Sequence, residues 1–293
     1  MPFSSMDAII SSMTNGKLRR TDWNKITGAV AYTAGRWYDF SSLAGQPVAN
    51  AFAGTSLAWT SCNETAGNGT QIFGLPHNGN VSTDTKHVIN VGAVTAVATG
   101  VPGILMLVDL QGYYPGINMS SSSTQTLTGT PTLRYANGVG VLPFLVINTA
   151  SGATAHNVAL SYTNQAATSG RALGSTVSCT VSATPGHISH TGTAANNYGP
   201  FLPLASGDTG VQSVQSLTLS ASSLAGTASL VLARPLFSLP ITTVGVGAER
   251  DLLNQLPSLP RVFDGACLTW LYFAGSATGA STNFYGSIDT VWG

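Results

Sequence analysis

Few residues in this chain could carry proton-transfer, nucleophilic or metal chemistry, and most of them stand alone. Asp109 follows the apolar run Ile104-Leu105-Met106-Leu107-Val108 and precedes Tyr113-Tyr114-Pro115-Gly116. A carboxylate at the end of a buried strand is either a pocket acid or a structural group that accepts hydrogen bonds from a turn and pairs with arginine. Acid–base catalysis needs a second group held at a fixed distance, and none is near in sequence, so Asp109 reads as structural. Arg134, Arg171 and Arg234 are the available partners, and Asp109 with Arg134 is the expected buried charge pair.

The other candidates are weaker. His187 and His190 lie at i and i+3, but Thr184-Pro185-Gly186 makes a turn there and no third ligand is close. His77 and His87 flank a polar stretch containing Asp84, which reads as a solvated loop rather than a metal-loaded tip. Glu249 and Asp251 are the only local acid pair, and two residues apart on a helix they point to different sides. No phosphate loop or dinucleotide glycine fingerprint occurs. "GSATG" at 275–279 misplaces its serine for a nucleophile elbow. Serine is so abundant that the presence of Ser, His and Asp says nothing about a triad.

Cys62, Cys179 and Cys267 are odd in number and far apart, as expected of three free, buried thiols. The glycosylation sequons at Asn63, Asn68, Asn80 and Asn118 are as many as this Ser/Thr content yields by chance. The expectation is no catalytic residue, no cofactor and no metal.

Charge is scarce. Only 8% of residues are Asp, Glu, Lys or Arg, against about 25% in a typical soluble domain, yet 43% are hydrophobic, enough to fold. Between residues 110 and 233 the only charges are Arg134, Arg171 and Asp208. A neutral chain with so little charge resists association poorly, which fits a surface covered by neighbouring subunits or, as the second reading, a protein that works at low concentration outside the cell. Lys17, Arg19, Arg20 and Lys25, interrupted by Asp22, are too few for a nucleic-acid face and read as a solvated turn after a helix. The N-terminal stretch lacks the pattern of a signal peptide, and no apolar run approaches the roughly 18 residues of a membrane span.

The elements that would position these residues are mostly strands. Residues 3–13 predict a short amphipathic helix capped by Ser4 or Ser5 and stopped at Asn15-Gly16, with Met6, Ile9, Ile10 and Met13 on its apolar side. Residues 17–50, with Trp23, Trp37 and Tyr38, read as an arm that docks on a body. Beyond residue 88, apolar alternation recurs: Val158, Leu160, Tyr162; Val177, Cys179, Val181; Leu217, Leu219; Ala228, Leu230, Leu232; Leu268, Trp270, Tyr272. Period two predicts half-buried antiparallel strands. Residues 104–108 and 141–147 predict strands buried on both faces, with Pro143 marking a bulge or an edge. Residues 247–260 predict one late helix ended by Pro257 and Pro260.

Seven segments together carry a resemblance: "VANAFAG" (48–54), "PHNGNVSTDTKHV" (76–88), "LMLVDLQGYYPGI" (105–117), "LSYTNQAATSGR" (160–171), "GPFLPLASGDTGVQSV" (199–214), "LVLARPLFSLP" (230–240) and "ERDLLNQLPSLPRVFDGACLTWLY" (249–272). In this order they resemble virion structural proteins from the head and packaging region of tailed bacteriophages, over about residues 30–275. The resemblance implies a particle component and brings no catalytic motif.

The reading is then a mainly β chain: an antiparallel β-sandwich of jelly-roll type, residues 51–293, as one body or two β subdomains, with an N-terminal helix and docking arm, residues 1–50. Its expected role is a cement, decoration or minor capsid protein in the virion. It would bind the major capsid protein and copies of itself as a homotrimer, without nucleic acid or membrane. Lys17, Arg19, Arg20, Trp23 and Trp37 are the expected interface residues. A tail, baseplate or host-adhesion protein is the alternative, with residues 77–87 as its contact tip. A glycan hydrolase is the remote one and needs two acids in one cleft.

Overall fold

The computed structural model describes residues 3–28, 31–49, 51–64, 74–189, 199–255 and 258–293. Strands dominate: β1 (Leu18–Ile26), β2 (Arg36–Asp39), β3 (Ala44–Gln46), β4 (Thr60–Ser61), β5 (Lys86–Thr95) and β6 (Gly103–Asn118) come first. β7 (Gln125–Thr126), β8 (Leu142–Thr149), β9 (Asn157–Asn164), β10 (Arg171–Ala172), β11 (Val177–Ser178) and β12 (Val211–Leu219) follow. β13 (Thr227–Ile241), β14 (Ala248–Asp251), β15 (Arg261–Val262), β16 (Leu268–Ala274) and β17 (Asn283–Trp292) complete the set. The helices are α1 (Met6–Thr14) and α2 (Leu252–Gln255).

The expected mainly β, antiparallel fold is what forms. Among the described residues the strands build three sheets. A front sheet has the order β14-β5-β17-β1-β3, with β15 also on β5; a side sheet has the order β10-β9-β12-β7, with β11 on β9. The third, which both others share as a backing, runs β2-β16-β6-β13-β8, with β4 also on β6. A single jelly roll has two sheets; here one long sheet serves two partners.

Alternation along β6 shows how. Leu105 and Leu107 pack with the front sheet, while Val108 and Leu110 line the reverse face. Leu110 pairs with Ala233 and Gly112 with Leu232, so Gln111 is an extra residue on β6. That bulge shifts the two-residue phase by one. Tyr114 consequently faces the same way as Leu105 and Leu107, but into a second core against the side sheet, and a second extra residue on β6 between Tyr114 and Ile117 keeps Ile117 on that side as well. On β13 the register shift between Pro235 and Phe237 does the same, switching Leu230 and Leu232 in one core to Phe237 and Leu239 in the other. The reverse face is closed by Phe52, Cys62, Ile188 and Phe201.

Most of the predicted alternation falls on these faces. Leu160, Tyr162, Leu217 and Leu219 build the side core, and Leu268, Trp270 and Tyr272 the front one. Val181 departs from it: β11 ends at Ser178, and Val181 is 40% exposed. β8 is buried yet lies at a sheet edge, which is where Pro143 can sit without breaking a central ladder.

Three expectations need correction. Residues 1–50 are not a separate arm, because β1 pairs with β17 over nine residues and with β3 over three, inside the front sheet. Residues 248–251 are strand, not helix: Ala248–Asp251 pair with Asn90–Ala93 of β5, so a non-local ladder overrides the helical pattern. Helix begins only at Leu252, where the Asp251 carboxylate accepts the Leu253 N–H at 3.0 Å. Leu256 and Pro257 lie outside the described residues. Finally, α1 is capped by Ser5, whose Oγ accepts the Ala8 N–H at 3.2 Å, but its apolar residues divide. Ile9 packs on Ile89 and Val291, whereas Met6, Ile10 and Met13 face outward.

Gly112 sits where the bulge meets β4, and a Cβ there would strike the Thr60 carbonyl and the Trp59 ring. Gly112→Ala is expected to lower the unfolding free energy by about 1–3 kcal/mol, read as a lower midpoint in urea with an unchanged slope.

Candidate functional site

Asp109 is fully buried in mid-β6, one residue before the chain enters the bulge. Arg134, from the segment after β7, meets it with a two-pronged contact: Nη2 to Oδ1 at 2.6 Å and Nε to Oδ2 at 3.2 Å. The same guanidinium donates to Cys62 O at 2.7 Å, to Asn63 Oδ1 at 3.2 Å and to Leu110 O. Asp109 Oδ1 also accepts the Cys267 N–H at 2.9 Å. Gln111 closes the knot, its amide donating to Asp109 O while its carbonyl accepts the Arg134 N–H. Burial works against the Arg134 charge, but the carboxylate outweighs it and holds the guanidinium above its ordinary range. Arg171 and Arg234, the other possible partners, are engaged elsewhere. Arg171 pairs with Asp208 at 2.9 Å, and Arg234 lies over the Tyr135 ring.

Two further buried cations escaped the sequence reading. Lys25 is 2% exposed and donates to Leu43 O at 3.0 Å and Pro47 O at 2.7 Å. It belongs to the inward set Thr21-Trp23-Lys25 of β1 and not to a solvated turn. Nearby, Asp39 accepts from Ser41 N, Ser41 Oγ and Ser42 N, and it borders a cavity of 310 Å³ with Tyr32, Ser42 and Leu43. Lys86 is also buried and donates to His77 Nδ1 at 2.8 Å and to Gly79 O. His77, expected in a solvated loop, is fully buried, its Nε2 at 2.8 Å from Ala266 O. Burial, then Lys86, pushes the His77 pKa down. Glu64 and Asp264 approach the same cluster, each also accepting a backbone N–H, from His77 and Val81 respectively.

His190 and Asn68 lie outside the described residues, and no group of three or more His, Cys, Asp or Glu among those described is placed to hold a metal ion. All three cysteines are free and buried.

The expected interface residues do not gather on one surface. Trp23 is 3% exposed and packs on Trp270 at 5.2 Å in the front core, so it cannot anchor a partner. Trp37 is half-buried, its ring tilted against Phe273 at 5.4 Å, and lines a hollow of 470 Å³ with Ile104 and Met106. Lys17 pairs with Asp84 at 2.6 Å, and Arg20 reaches both oxygens of Asp289. Arg19 bonds Thr21 Oγ1.

The outer face of the front sheet carries an arrangement that sequence order conceals. Asp22 pairs with Ser287, Ser287 with Gly92, and Gly92 with Glu249, making a row across four strands. The small Ser287 and Gly92 form the floor of a trough of 310 Å³ flanked by Arg20, Asn90 and Tyr285. It adjoins a hollow lined by Asn24 and Gln46. The two acids stand three strand spacings apart at Cα, about 14 Å, against roughly 5–10 Å between carboxyl groups in glycosidases.

No family model matches the chain, and no curated protein matches it. Among solved structures it is similar to VP2 of the infectious bursal disease virus subviral particle, at 10% identity, over 94% of this chain and 80% of that one, with a TM-score of 0.20. A TM-score this low carries no argument about this chain.

Two substitutions separate the buried charges from the exposed ones. Asp109→Asn strands the Arg134 charge and is expected to cost about 3–5 kcal/mol, whereas Arg20→Ala costs under about 1 kcal/mol, both by denaturant unfolding. Burial lowers the Lys25 pKa from 10.5 to about 8. Between those values the unfolded chain holds a proton that the native chain has lost, so Lys25 makes stability rise with pH from about pH 8, by at most about 1.4 kcal/mol per pH unit. Burial also lowers the Lys86 pKa, which adds slope of the same sign. Lys25→Met should remove most of the rise between about pH 8 and 9, leaving what Lys86 contributes there; above about pH 9 the thiols of Cys62 and Cys179, raised by burial, work in the opposite direction, because the native chain keeps protons that the unfolded chain loses.

Proposed function

We propose that this protein is a structural component of a virus particle, and more narrowly a cement, decoration or minor capsid protein of a tailed bacteriophage. The observation that carries the reading is the outward ridge of α1. Met6, Ile10 and Met13 are 49%, 54% and 36% exposed at i, i+4 and i+7, and Leu18 continues the ridge at 39%. A helix that seats only Ile9 on its own sheet and turns three large apolar residues to solvent is built to meet another surface. The natural occupants are the major capsid protein and copies of this chain, with a homotrimer as the first assembly to look for.

The charge pattern supports this. Lys17, Arg20 and Arg171 are paired within the chain, leaving a surface that joins neighbours by shape and neutral hydrogen bonds rather than by charge. The ordered set of segments that resembles phage head-region proteins supports the narrower assignment. No catalytic role is proposed. A second reading, a tail or host-contact protein, is favoured by the trough of Asp22, Tyr285 and Glu249: an aromatic ring beside planar polar groups suits a saccharide.

Quantitative mass spectrometry of purified particles tests the choice. Hundreds of copies per particle, released together with shell strength on mild heating, are expected; a few copies remaining with isolated tails would overturn the shell assignment. Ile10→Asp is expected to abolish incorporation while changing the unfolding free energy by less than about 0.5 kcal/mol. Normal incorporation of this variant would remove the ridge from the account.

A further inference from the structure

Cys62 and Cys267 are 205 positions apart in the sequence but adjacent in the fold. The Cys62 N–H donates to Gln111 O at 3.1 Å, and Cys267 O accepts the Leu110 N–H at 2.9 Å. β4 and β16 therefore meet end to end along one edge of β6, and the two cysteines stand opposite successive residues. In a regular strand, successive residues and their partners face opposite sides. The bulge at Gln111 cancels that alternation, and both cysteines enter the same reverse-face cluster, each 0% exposed.

We propose that Cys62 and Cys267 are a latent cross-link, a thiol pair that closes to a disulfide when the folded chain meets a small oxidising disulfide. Burial raises the Cys62 thiol and the neighbouring Cys267 adds to the rise, while the Arg134 guanidinium beside it works in the opposite direction. In the reaction, one cysteine thiolate attacks a sulfur of the external disulfide and expels one small thiolate. The second cysteine then attacks the mixed disulfide and expels the other. Two electrons and two protons pass from the pair to the oxidant, which leaves as two thiols. Cys179 is in the side core with no cysteine beside it, its thiol pushed up to about 12 by burial, and serves as the internal control. The inference is independent of the function proposed above.

The test is incubation of the native, reduced full-length protein with oxidised glutathione, followed by alkylation of remaining thiols and peptide mapping without reductant. The expected result is a Cys62–Cys267 peptide pair lighter by two hydrogens, with Cys179 alkylated. The melting temperature should rise by roughly 5 °C and fall back on adding dithiothreitol. Cys179→Ser should keep the link and Cys267→Ala should lose it. Mapping of the unmutated protein decides the matter even where a variant folds poorly. Glutathione adducts without the link, links between chains, a link formed only in denaturant, or a pair that stays reduced would each overturn the proposal.

Discussion

The structure depends on the ion pair between Asp109 and Arg134, placed where the longest run of β6 changes phase. A bulge leaves backbone groups without ladder partners, and in a buried sheet these must be satisfied by something. Arg134 supplies the donors for the carbonyls of Leu110 and Cys62, while Asp109 takes the N–H of Cys267. A buried pair of this kind contributes little net stability but is costly to break, so its main effect is to specify one arrangement. Without the extra residue at Gln111, Tyr114 and Ile117 would turn to the reverse face, and the side core would lose its floor.

That constraint explains how a charge-poor chain builds two cores from one backing sheet. Lys25, Asp39, Lys86 and Asp109 are all buried, four of 22 charged side chains. The surface is consequently even less charged than the composition suggests. The buried groups lie where irregular chain meets regular strand: beside the turn after β2, under the 74–82 segment, and at the bulge. Hydrogen bonds to buried charges are stronger and more directional than neutral ones, and here they hold loops that have few apolar side chains of their own.

Much of this was legible in the sequence, for a physical reason. Period-two alternation is local, so the faces of β9, β12, β13 and β16 could be read directly, and so could the capped helix ending at Asn15-Gly16. Asp109 could be recognised as a group needing a guanidinium, though nothing local chose Arg134 over Arg171 or Arg234. Pairings across long separations were hidden. The stretch from Ala248 to Asp251 has helical composition and becomes strand only because β5 offers an edge. The row of Asp22, Ser287, Gly92 and Glu249 draws on four distant strands, and the proximity of Cys62 to Cys267 rests on a bulge in a third segment. Lys25 was legible in principle, since Thr21, Trp23 and Lys25 alternate, but its charge argued for solvent.

The pairing of β1 with β17 bears on the order of events during synthesis. Residues 18–26 leave the ribosome early, yet their long partner at 283–291 is made more than two hundred residues later. At about 5–20 residues per second the interval is on the order of tens of seconds. Throughout it β1 has at most its short contact with β3, and an open strand edge with Trp23 and Ile26 beside it is available to other nascent chains. The front sheet is thus the last part of the molecule to close, and the side sheet, whose strands lie between residues 125 and 219, can be complete well before it.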